Sequence, residues 1–287
     1  MEHSLEGAVV VVTGGAAGIG RATATKMAES GANVAIGDIH AEKAAETAEE
    51  ITSRVSAGGS GSGGGAIGRP LDVTDRDGFE IFLDGVEAEF GPIDCLVNNA
   101  GVMLLGPVDQ ESPAATKAMI DVNLLGVING TQAAMDRMKP RARGRIVNIA
   151  SQAGKAGMAG GATYCATKFG VIGFSEAVRA ELKGTGVSIS WVLPGLVNTE
   201  LSAGLPDIPL MDLLSPDDIA DAVLKALTRG GSEIWVPARN QWLDAPARLL
   251  PRPMREKVFA MTGADKVLAE ADPDTRQDYE DRHSGVS

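Results

Sequence analysis

The sequence predicts an α/β fold in which helices cover both faces of one parallel, doubly wound β-sheet. Short β-branched segments alternate along the chain with longer segments that carry apolar residues at helical spacing. Most of the short segments are apolar throughout, which is typical of strands buried on both faces. Apolar residues make up 44% of the 287 residues and charged residues 22%, so the composition permits a large core and argues against a disordered chain.

Seven strands and six helices are predicted in strict alternation, and this order indicates a single open sheet. The strands are predicted at Ala8–Thr13, Asn33–Asp38, Ile67–Asp72, Ile93–Asn98, Gly144–Ala150, Val187–Leu193 and Glu233–Val236. The helices are predicted at Gly18–Glu29, Ala41–Ser53, Arg76–Phe90, Ala114–Arg137, Ala162–Lys183 and Pro216–Thr228. We place one domain at residues 1–240 and a carboxy-terminal extension at residues 241–287, with helices around Met254–Met261 and Ala264–Ala271.

A glycine-rich segment, SAGGSGSGGGAIG, interrupts the alternation at residues 56–68. It lacks the Lys-Ser/Thr pair of a phosphate-binding P-loop, and it precedes a strand instead of opening a helix. We therefore interpret it as a surface connection between the second helix and the third strand.

The charge balance excludes some classes of partner. Asp and Glu number 38 against 26 Lys and Arg, which gives a formal charge of −12. This charge argues against nucleic acid and against an anionic membrane surface. The two cysteines allow no disulfide framework and no cysteine-based zinc site. The amino end carries no basic signal-like region and no stretch approaches the roughly 20 apolar residues of a membrane span, so we expect a cytoplasmic protein.

A glycine motif, TGGAAGIG at residues 13–20, follows the first strand and opens the first helix. A pyrophosphate needs close backbone approach, exposed N–H donors and the positive end of a helix dipole, and this turn supplies all three. It predicts a Rossmann-type dinucleotide site. The backbone contacts are expected at Gly14, Ala17, Gly18, Ile19 and Gly20.

Asp38 ends the second strand, about 20 residues after the glycine motif, where a carboxylate can accept hydrogen bonds from both hydroxyls of the adenosine ribose. The same carboxylate would repel a 2′-phosphate. Neither Ala17 nor Ile39, which flank this region, offers a compensating positive charge. The sequence therefore predicts NAD(H) as the cofactor.

Taken together, the motifs resemble those of the short-chain dehydrogenase/reductase family over about residues 6–236. The matching residues are Thr13–Gly20, Asp38, Leu71–Val73, Asn98–Gly101, Asn123, Ser151, Tyr164–Lys168, Pro194-Gly195, Val197 and Thr199. The resemblance implies that Asp72 binds the adenine amino group, with Val73 beside it. It also implies that Asn99 holds the fourth strand and approaches the adenine ribose. It further assigns to the cofactor site Gly101, Tyr164, Lys168, Pro194, Val197 and Thr199, the last two at the nicotinamide carboxamide.

The resemblance points to a catalytic pair, and its spacing has a physical basis. Tyr164 and Lys168 stand four residues apart on a predicted helix, so their side chains project from one face. The pKa of a free tyrosine is about 10. A nearby ammonium and the positive charge of oxidised nicotinamide are expected to lower it. Tyr164 is thus expected to act as general base in alcohol oxidation and as general acid in carbonyl reduction. Lys168 would also hold the nicotinamide ribose.

Two further residues complete the expected catalytic set. Ser151 lies at the end of the fifth strand, where its hydroxyl would bind the substrate oxygen and stabilise negative charge. Asn123 lies within the fourth predicted helix and resembles the family's fourth member, which holds a water in a proton relay. The alternative for Asn123 is a hydrogen bond to neighbouring backbone. None of the three histidines falls near these motifs in the sequence, so we expect no metal.

Apolar segments should overhang the site and define the substrate. They are Val102–Val108, Gln152–Gly161 and Leu196–Leu214. They favour an apolar secondary alcohol and its ketone or aldehyde, of a steroid-, retinoid-, terpenoid- or long-chain-like kind. The alternative is that these residues only anchor a lid. Two other functions stay open, an NADP(H)-dependent carbonyl or ketoacyl reductase of the same fold and a non-catalytic NAD-binding sensor.

The fourth and fifth predicted helices carry apolar residues on more than one side. In the family that the motifs resemble, such helices pair across a two-fold axis, which implies a homo-oligomer, a tetramer or a dimer. The extension departs from the shorter family pattern. Its stretch LLPRPMREKVFAMTG is expected to pack on the chain itself or on a neighbouring subunit. Roofing of the substrate pocket and contact with a membrane surface are the alternatives.

Overall fold

The computed structural model describes residues 4–57, 64–206, 212–247, 250–261, 263 and 265–283. The strands are β1 (Val9–Thr13), β2 (Asn33–Asp38), β3 (Ala66–Pro70), β4 (Cys95–Asn98), β5 (Gly144–Ile149), β6 (Val187–Pro194) and β7 (Glu233–Val236). The helices are α1 (Gly18–Glu29), α2 (Ala41–Ala57), α3 (Arg76–Phe90), α4 (Pro113–Ile120), α5 (Gly126–Met138), α6 (Ala162–Glu181), α7 (Pro216–Arg229), α8 (Arg239–Ala247), α9 (Arg252–Met261) and α10 (Pro273–His283).

The strands form one seven-stranded sheet in the order β3-β2-β1-β4-β5-β6-β7, and every pairing is parallel. The doubly wound α/β prediction is confirmed. The strand order reverses between β1 and β4, where the connections leave in opposite directions. A crevice therefore opens at the carboxyl ends of these two strands, and sheets of this kind bind ligands there.

Helices cover the sheet on both faces because the strand residues are apolar on both. Val10 and Val12 of β1 belong to the core that contains residues of α1, α2 and α7, whereas Val9 and Val11 belong to the core on the α3 side. Successive side chains of a strand point to opposite faces, so a continuous run of valines contributes to both cores at once. All five residues of β1 are buried.

One predicted helix differs from the structure in a way that concerns the site. The helix expected at Ala114–Arg137 consists of α4 and α5, which are separated by a π-helical turn at Asp121–Leu125. A π-helical turn takes an extra residue and re-aims the side chains within it. Here it holds Asn123 fully buried, with 0% of its surface exposed.

The extension also differs from the prediction. The helix expected around Ala264–Ala271 is wrong, because residues 265–270 form turns and α10 begins at Pro273. Proline suits the first turn of a helix and the Asp272 carboxylate accepts a hydrogen bond from the Asp274 N–H, which together set this start. The helix expected around Met254–Met261 is α9, and α8 was not predicted.

The remaining sequence predictions concern the glycine-rich segment, membrane-spanning helices and the domain boundary. The core of the glycine-rich segment, residues 58–63, lies outside the described residues, and α2 extends to Ala57 just before it. In the part of the chain that the structure describes, no helix is long and apolar enough to cross a membrane. The division of the chain at residues 240 and 241 stays a prediction.

Candidate active site

A cleft of about 1760 Å³ opens at the carboxyl edge of the sheet. It brings together most of the predicted site residues. Those that line it are Gly14, Ala17, Gly18, Ile19, Asp38, Asp72, Val73, Asn99, Gly101, Ser151, Tyr164, Lys168, Pro194, Val197 and Thr199. Gly20 and Asn123 do not line the cleft and lie behind its wall.

The glycine turn after β1 is shaped for close packing. Gly14 and Gly18 have φ angles of 62° and 51°, in the left-handed region that favours glycine. A Cβ at Gly20 would lie 2.1 Å from the Gly14 carbonyl oxygen, so the first turn of α1 packs directly on the turn. No side chain caps α1 at Ala17, which leaves amide N–H groups at its positive end. This cradle fits a pyrophosphate.

Asn99 ties the glycine turn to β4. Its Nδ2 donates to the carbonyl oxygens of Thr13 (2.9 Å) and Gly14 (3.0 Å), and its N–H donates to the Thr13 hydroxyl (3.0 Å). The Ala100 N–H donates to the same hydroxyl (3.1 Å). These hydrogen bonds hold the two strands together at the point where the crevice opens.

Asp38 stands at the end of β2 with its carboxylate fixed. Oδ2 accepts a hydrogen bond from the Ala16 N–H (3.1 Å) and Oδ1 accepts one from the His40 N–H (3.0 Å). Each carboxylate oxygen can accept a further hydrogen bond, so Asp38 can still bind a pair of hydroxyls. The expectation that no histidine falls near the motifs is wrong, because His40, two residues after Asp38, lines the cleft, and so does His283.

Lys43, in the first turn of α2, lines the same cleft and was missed by the sequence analysis. Its charge acts on Glu200, whose pKa is lowered chiefly by Arg282 and also by Lys43 and His283. Glu200 follows Thr199, so these charges meet across the cleft. Only tertiary structure brings residues 43, 200 and 282 together, and no local sequence signal marks them.

Ser151 and Tyr164 meet on the floor of the cleft. Ser151 is extended, and its hydroxyl accepts a hydrogen bond from the Ala153 N–H (3.1 Å) at the start of a short 3₁₀ turn. The neighbouring Gln152, the first residue of the segment expected to overhang the site, lines the cleft. Its Nε2 donates to the Val236 carbonyl oxygen (2.9 Å), which fixes the loop after β5 against β7.

Lys168 lies one turn after Tyr164, as predicted. Its Nζ is 5.7 Å from the centre of the Tyr164 ring and donates a hydrogen bond to the Ile149 carbonyl oxygen (3.0 Å). Only 5% of the Lys168 surface is exposed. Burial lowers the pKa of its ammonium from 10.5 to about 8.

The pKa of Tyr164 differs from the expectation. Burial raises it above 10, because removal of water disfavours the phenolate, and the nearby Ser151 hydroxyl opposes this rise only in part. The expected lowering by Lys168 is not among the causes of this shift, and the Lys168 ammonium hydrogen-bonds instead to the Ile149 carbonyl oxygen. In the protein alone, Tyr164 is therefore a protonated acid at neutral pH.

Asn123 links the loop after β4 to α6 instead of facing the cleft. Its Oδ1 accepts a hydrogen bond from the Val102 N–H (2.7 Å), and its Nδ2 donates to the Val102 carbonyl oxygen (2.8 Å) and the Thr167 hydroxyl (3.3 Å). A Cβ at Gly101 would lie 3.2 Å from Asn123 Oδ1 and 3.7 Å from Lys168 Nζ, so Gly101 sits beside both polar groups. The catalytic role of Asn123 stays a prediction.

The end of the extension forms part of the cleft. Its lining includes Val267, Leu268, Tyr279, Arg282 and His283. Residues 265–283 therefore pack on the chain itself and roof the cleft. Within the stretch LLPRPMREKVFAMTG, for which these roles were considered, Glu256 of α9 also lines the cleft. The predicted apolar lining residues Ile208, Leu210 and Met211 lie outside the described residues. In the described part of the chain, no group of three or more His, Cys, Asp or Glu could hold a metal ion.

Comparison with known proteins now identifies the family. The family model described as short chain dehydrogenase matches residues 8–207, more than half of the chain. The chain belongs to the short-chain dehydrogenase family. The match ends before α7, so the family pattern gives no signal for α10.

Relatives of this short-chain dehydrogenase act on varied alcohols and ketones, by their names. A D-threitol dehydrogenase from Mycolicibacterium smegmatis is 38% identical over 78% of this chain and 86% of its own length. The 2,5-dichloro-2,5-cyclohexadiene-1,4-diol dehydrogenase LinX of Sphingobium indicum is 35% identical over 78% and 90%. The 3-oxoacyl-[acyl-carrier-protein] reductase FabG of Thermotoga maritima is 35% identical over 77% and 90%.

A solved structure of a short-chain type dehydrogenase/reductase from Mycobacterium marinum has a similar fold. Its TM-score to this chain is 0.73 with 29% sequence identity, and the match covers 81% of this chain and 94% of that one. The short-chain dehydrogenase fold is thus shown both by the sequence and by the architecture.

The buried ammonium of Lys168 predicts a pH-dependent stability. Between pH 8 and 10.5 the unfolded chain holds a proton on Lys168 that the folded chain has lost, so stability from this group rises with pH across this window. Below pH 8 the folded protein carries a buried charge, at a cost of about 3 kcal/mol. We expect Lys168→Met to raise the free energy of unfolding above that of the wild type. This increase should be larger at pH 7 than at pH 9.5.

Urea denaturation of both proteins at the two pH values measures this effect. Lys183→Met is the matched control, because Lys183 is exposed just beyond the end of the same helix. The free energy of unfolding of Lys183→Met should differ from that of the wild type by the same amount at both pH values. A Lys168→Met effect that does not vary with pH would mean that burial does not disfavour the ammonium.

Proposed function

We propose that this short-chain dehydrogenase is an NAD(H)-dependent oxidoreductase that interconverts an apolar secondary alcohol and its ketone or aldehyde. One observation carries the proposal. Ser151, Tyr164 and Lys168 converge in the cleft that the glycine turn and Asp38 also line. The groups required to bind a dinucleotide and to move a proton are therefore adjacent.

The cofactor would be held by this chain's backbone and by a few side chains. The turn at Gly14–Gly20 would bind the pyrophosphate, Asp38 the adenosine ribose and Asp72 the adenine, with Val73 beside it. Thr199 lies beside the start of α1, since a Cβ at Gly18 would lie 3.4 Å from its Cγ2, and with Val197 it is proposed to contact the nicotinamide carboxamide. When bound, the nicotinamide would supply hydride chemistry at the carbon of the reacting alcohol or carbonyl.

Each residue of the catalytic set is proposed to have a separate role in the proton transfer. In oxidation, Tyr164 Oη takes the hydroxyl proton of the alcohol, and in reduction it returns that proton to the carbonyl oxygen. Ser151 donates a hydrogen bond to the same oxygen and stabilises its developing negative charge. Lys168 favours the phenolate by its charge. Asn123 is proposed to hold a relay water, and its hydrogen bonds to Val102 support at least a role in fixing the loop beside it.

Asp38 supports NAD(H) over NADP(H). Its carboxylate is held by two backbone N–H groups at the adenosine end of the cleft and would repel a 2′-phosphate. Lys43, whose charge also acts on Glu200, lines the same cleft, so the measurement compares its attraction for such a phosphate with the repulsion by Asp38. Some relatives are ketoacyl reductases, so cofactor choice is the most informative measurement.

We expect NADH to bind at least about tenfold more tightly than NADPH, because like-charge contact costs more than about 1.4 kcal/mol. Asp38→Asn should weaken NADH binding and reduce the difference between the NADH and NADPH affinities. Asp77→Asn, an exposed acid at the start of α3 outside the cleft, controls for the change in net charge. Titrations followed by cofactor fluorescence measure the NADH and NADPH affinities of all three proteins. A preference for NADPH in the wild type would contradict the proposal and favour a reductase.

The substrate proposal follows from the apolar walls of the cleft. Met103, Met158, Leu201 and Leu205 line it near Tyr164. Because relatives named above include a dehydrogenase of a cyclic diol, simple cyclohexanols are reasonable first substrates with NAD at alkaline pH. Larger steroid-, retinoid- or terpenoid-like alcohols extend the same series.

We also propose a cytoplasmic homo-oligomer, a dimer or a tetramer. Both cysteines are buried and unpaired, which suits a reducing compartment. Large apolar side chains of the helices expected at the interface are exposed, at 43% for Ile120, 40% for Leu125 and 44% for Phe169. Exposed apolar residues on these helices support pairing with another copy.

A further inference from the structure

The chain has two tyrosines, and both line the same cleft. Tyr164 belongs to the catalytic set. Tyr279 lies on α10, within the extension and beyond the residues matched by the family model. The two side chains belong to one apolar cluster, together with Met103 and Leu268. The second tyrosine therefore stands on the substrate side of the site.

Arg276 fixes α10 to the loops that border the cleft. Its guanidinium is 2% exposed and donates hydrogen bonds to the carbonyl oxygens of Met103 (2.7 Å), Leu201 (3.0 Å) and Ala203 (2.9 Å). Met103 follows β4 and the other two residues follow β6. Hydrogen bonds from a charged donor are stronger than neutral ones, so these three bonds hold α10 in one position relative to both loops.

The Tyr279 ring is fixed as well. The Arg276 guanidinium lies 5.4 Å from its centre, and the His283 ring stacks on it at 4.4 Å between centres. The Tyr279 side chain is 6% exposed. Its hydroxyl oxygen accepts a hydrogen bond from the Met103 N–H at 3.1 Å. The ring contacts with Arg276 and His283 and the hydrogen bond from Met103 together fix the position of the hydroxyl.

The Tyr279 hydroxyl has a hydrogen-bond donor to spare. A phenol both accepts and donates, and the only hydrogen bond that this hydroxyl makes with the described residues uses its oxygen as acceptor. Burial raises the pKa of Tyr279 to about 12, so the hydroxyl keeps its proton at neutral pH. Met103, Leu201 and Leu268 pack around it in the cleft, and the charges of Arg276, Glu200 and Glu280 also act on it. Buried donors in proteins nearly always have an acceptor, and here a ligand would supply it.

We propose that Tyr279 is a specificity-determining residue that donates a hydrogen bond to a second oxygen of the substrate, away from the carbinol group that reacts at Tyr164. This inference rests on the proposed function. It narrows the substrate class to apolar alcohols and ketones that carry a second hydroxyl, carbonyl or ether oxygen. A site built around a hydrogen bond rejects an analogue that lacks the partner atom, because the buried donor is then left unsatisfied.

The test compares wild type with Tyr279→Phe on cyclohexanol and on the 1,2-, 1,3- and 1,4-cyclohexanediols. A diol has two hydroxyls that can react, which alone would raise kcat/KM about twofold over cyclohexanol. Beyond this factor, we expect the wild-type kcat/KM for at least one diol to exceed that for cyclohexanol about tenfold. Tyr279→Phe should remove that preference and leave cyclohexanol within about threefold. Trp242→Phe is the control, since it changes an aromatic residue of the extension that is 79% exposed.

Two outcomes would overturn the proposal. If the wild type shows no preference for any diol, the spare donor has no role in selection. If Tyr279→Phe lowers kcat/KM equally for cyclohexanol and the diols, the hydroxyl only holds Met103 in place. Calorimetric binding of cyclohexanol and 1,4-cyclohexanediol to both proteins with NADH, which cannot oxidise an alcohol, gives the same comparison without turnover. Absence of turnover would then contradict the proposed function alone, while the binding ratio still tests Tyr279.

Discussion

Tyr164→Phe is expected to lower kcat about a thousandfold and to leave the Kd for NADH within about threefold. The substitution removes only the hydroxyl that is proposed to move the proton. The ring stays in its apolar cluster with Met103 and Cys165, so the wall of the cleft is retained. The glycine turn and Asp38 are untouched. Chemistry and cofactor binding should therefore separate.

Steady-state rates with NAD and a cyclic alcohol, together with NADH titrations, measure the two effects. Tyr279→Phe is the matched control, because it removes the other tyrosine hydroxyl of the same cleft and should retain turnover of cyclohexanol. Equal losses in both variants would indicate a general disturbance of the cleft. If Tyr164→Phe kept full activity, the protein would be a binding protein or would use another acid and base.

The sheet was predictable because its signals are local. Val9–Val12 form a continuous apolar run, and the glycine motif that follows requires a tight turn into a helix. Such patterns specify a strand and a turn without knowledge of the rest of the chain. For the same reason Asp38, the last residue of β2, and Ser151, just after β5, were placed at the correct edge of the sheet.

The parts that were missed depend on distant contacts. Nothing in the sequence around Asn123 distinguishes a π-helical turn from a regular helix, and the turn is what buries this residue beside Val102. Arg276 lies in a strongly polar helix that would read as solvent-exposed, yet it is buried because three carbonyl groups from two loops surround it. The raised pKa of Tyr164 has the same origin, since burial depends on α10 as well as α6.

Gly20→Ala is expected to weaken NADH binding at least about tenfold and to lower the free energy of unfolding by about 1–3 kcal/mol. In most helix interiors alanine is more favourable than glycine by about 1 kcal/mol, so propensity alone predicts the opposite sign. Here the added Cβ would lie 2.1 Å from the Gly14 carbonyl oxygen and 2.6 Å from Asn99 Nδ2. The start of α1 must therefore move away from the turn, and the amide N–H groups proposed to bind pyrophosphate would move with it.

Urea denaturation and NADH titration distinguish close packing from helix propensity. Gly85→Ala in α3 is the matched control, because its Cβ would approach only the end of the flexible Arg69 side chain. It should leave NADH affinity unchanged and alter stability by no more than about 1 kcal/mol. If Gly20→Ala behaved like Gly85→Ala, α1 would not pack against the turn as closely as the structure has it. A loss confined to Gly20→Ala would instead connect the 2.1 Å approach directly to cofactor binding.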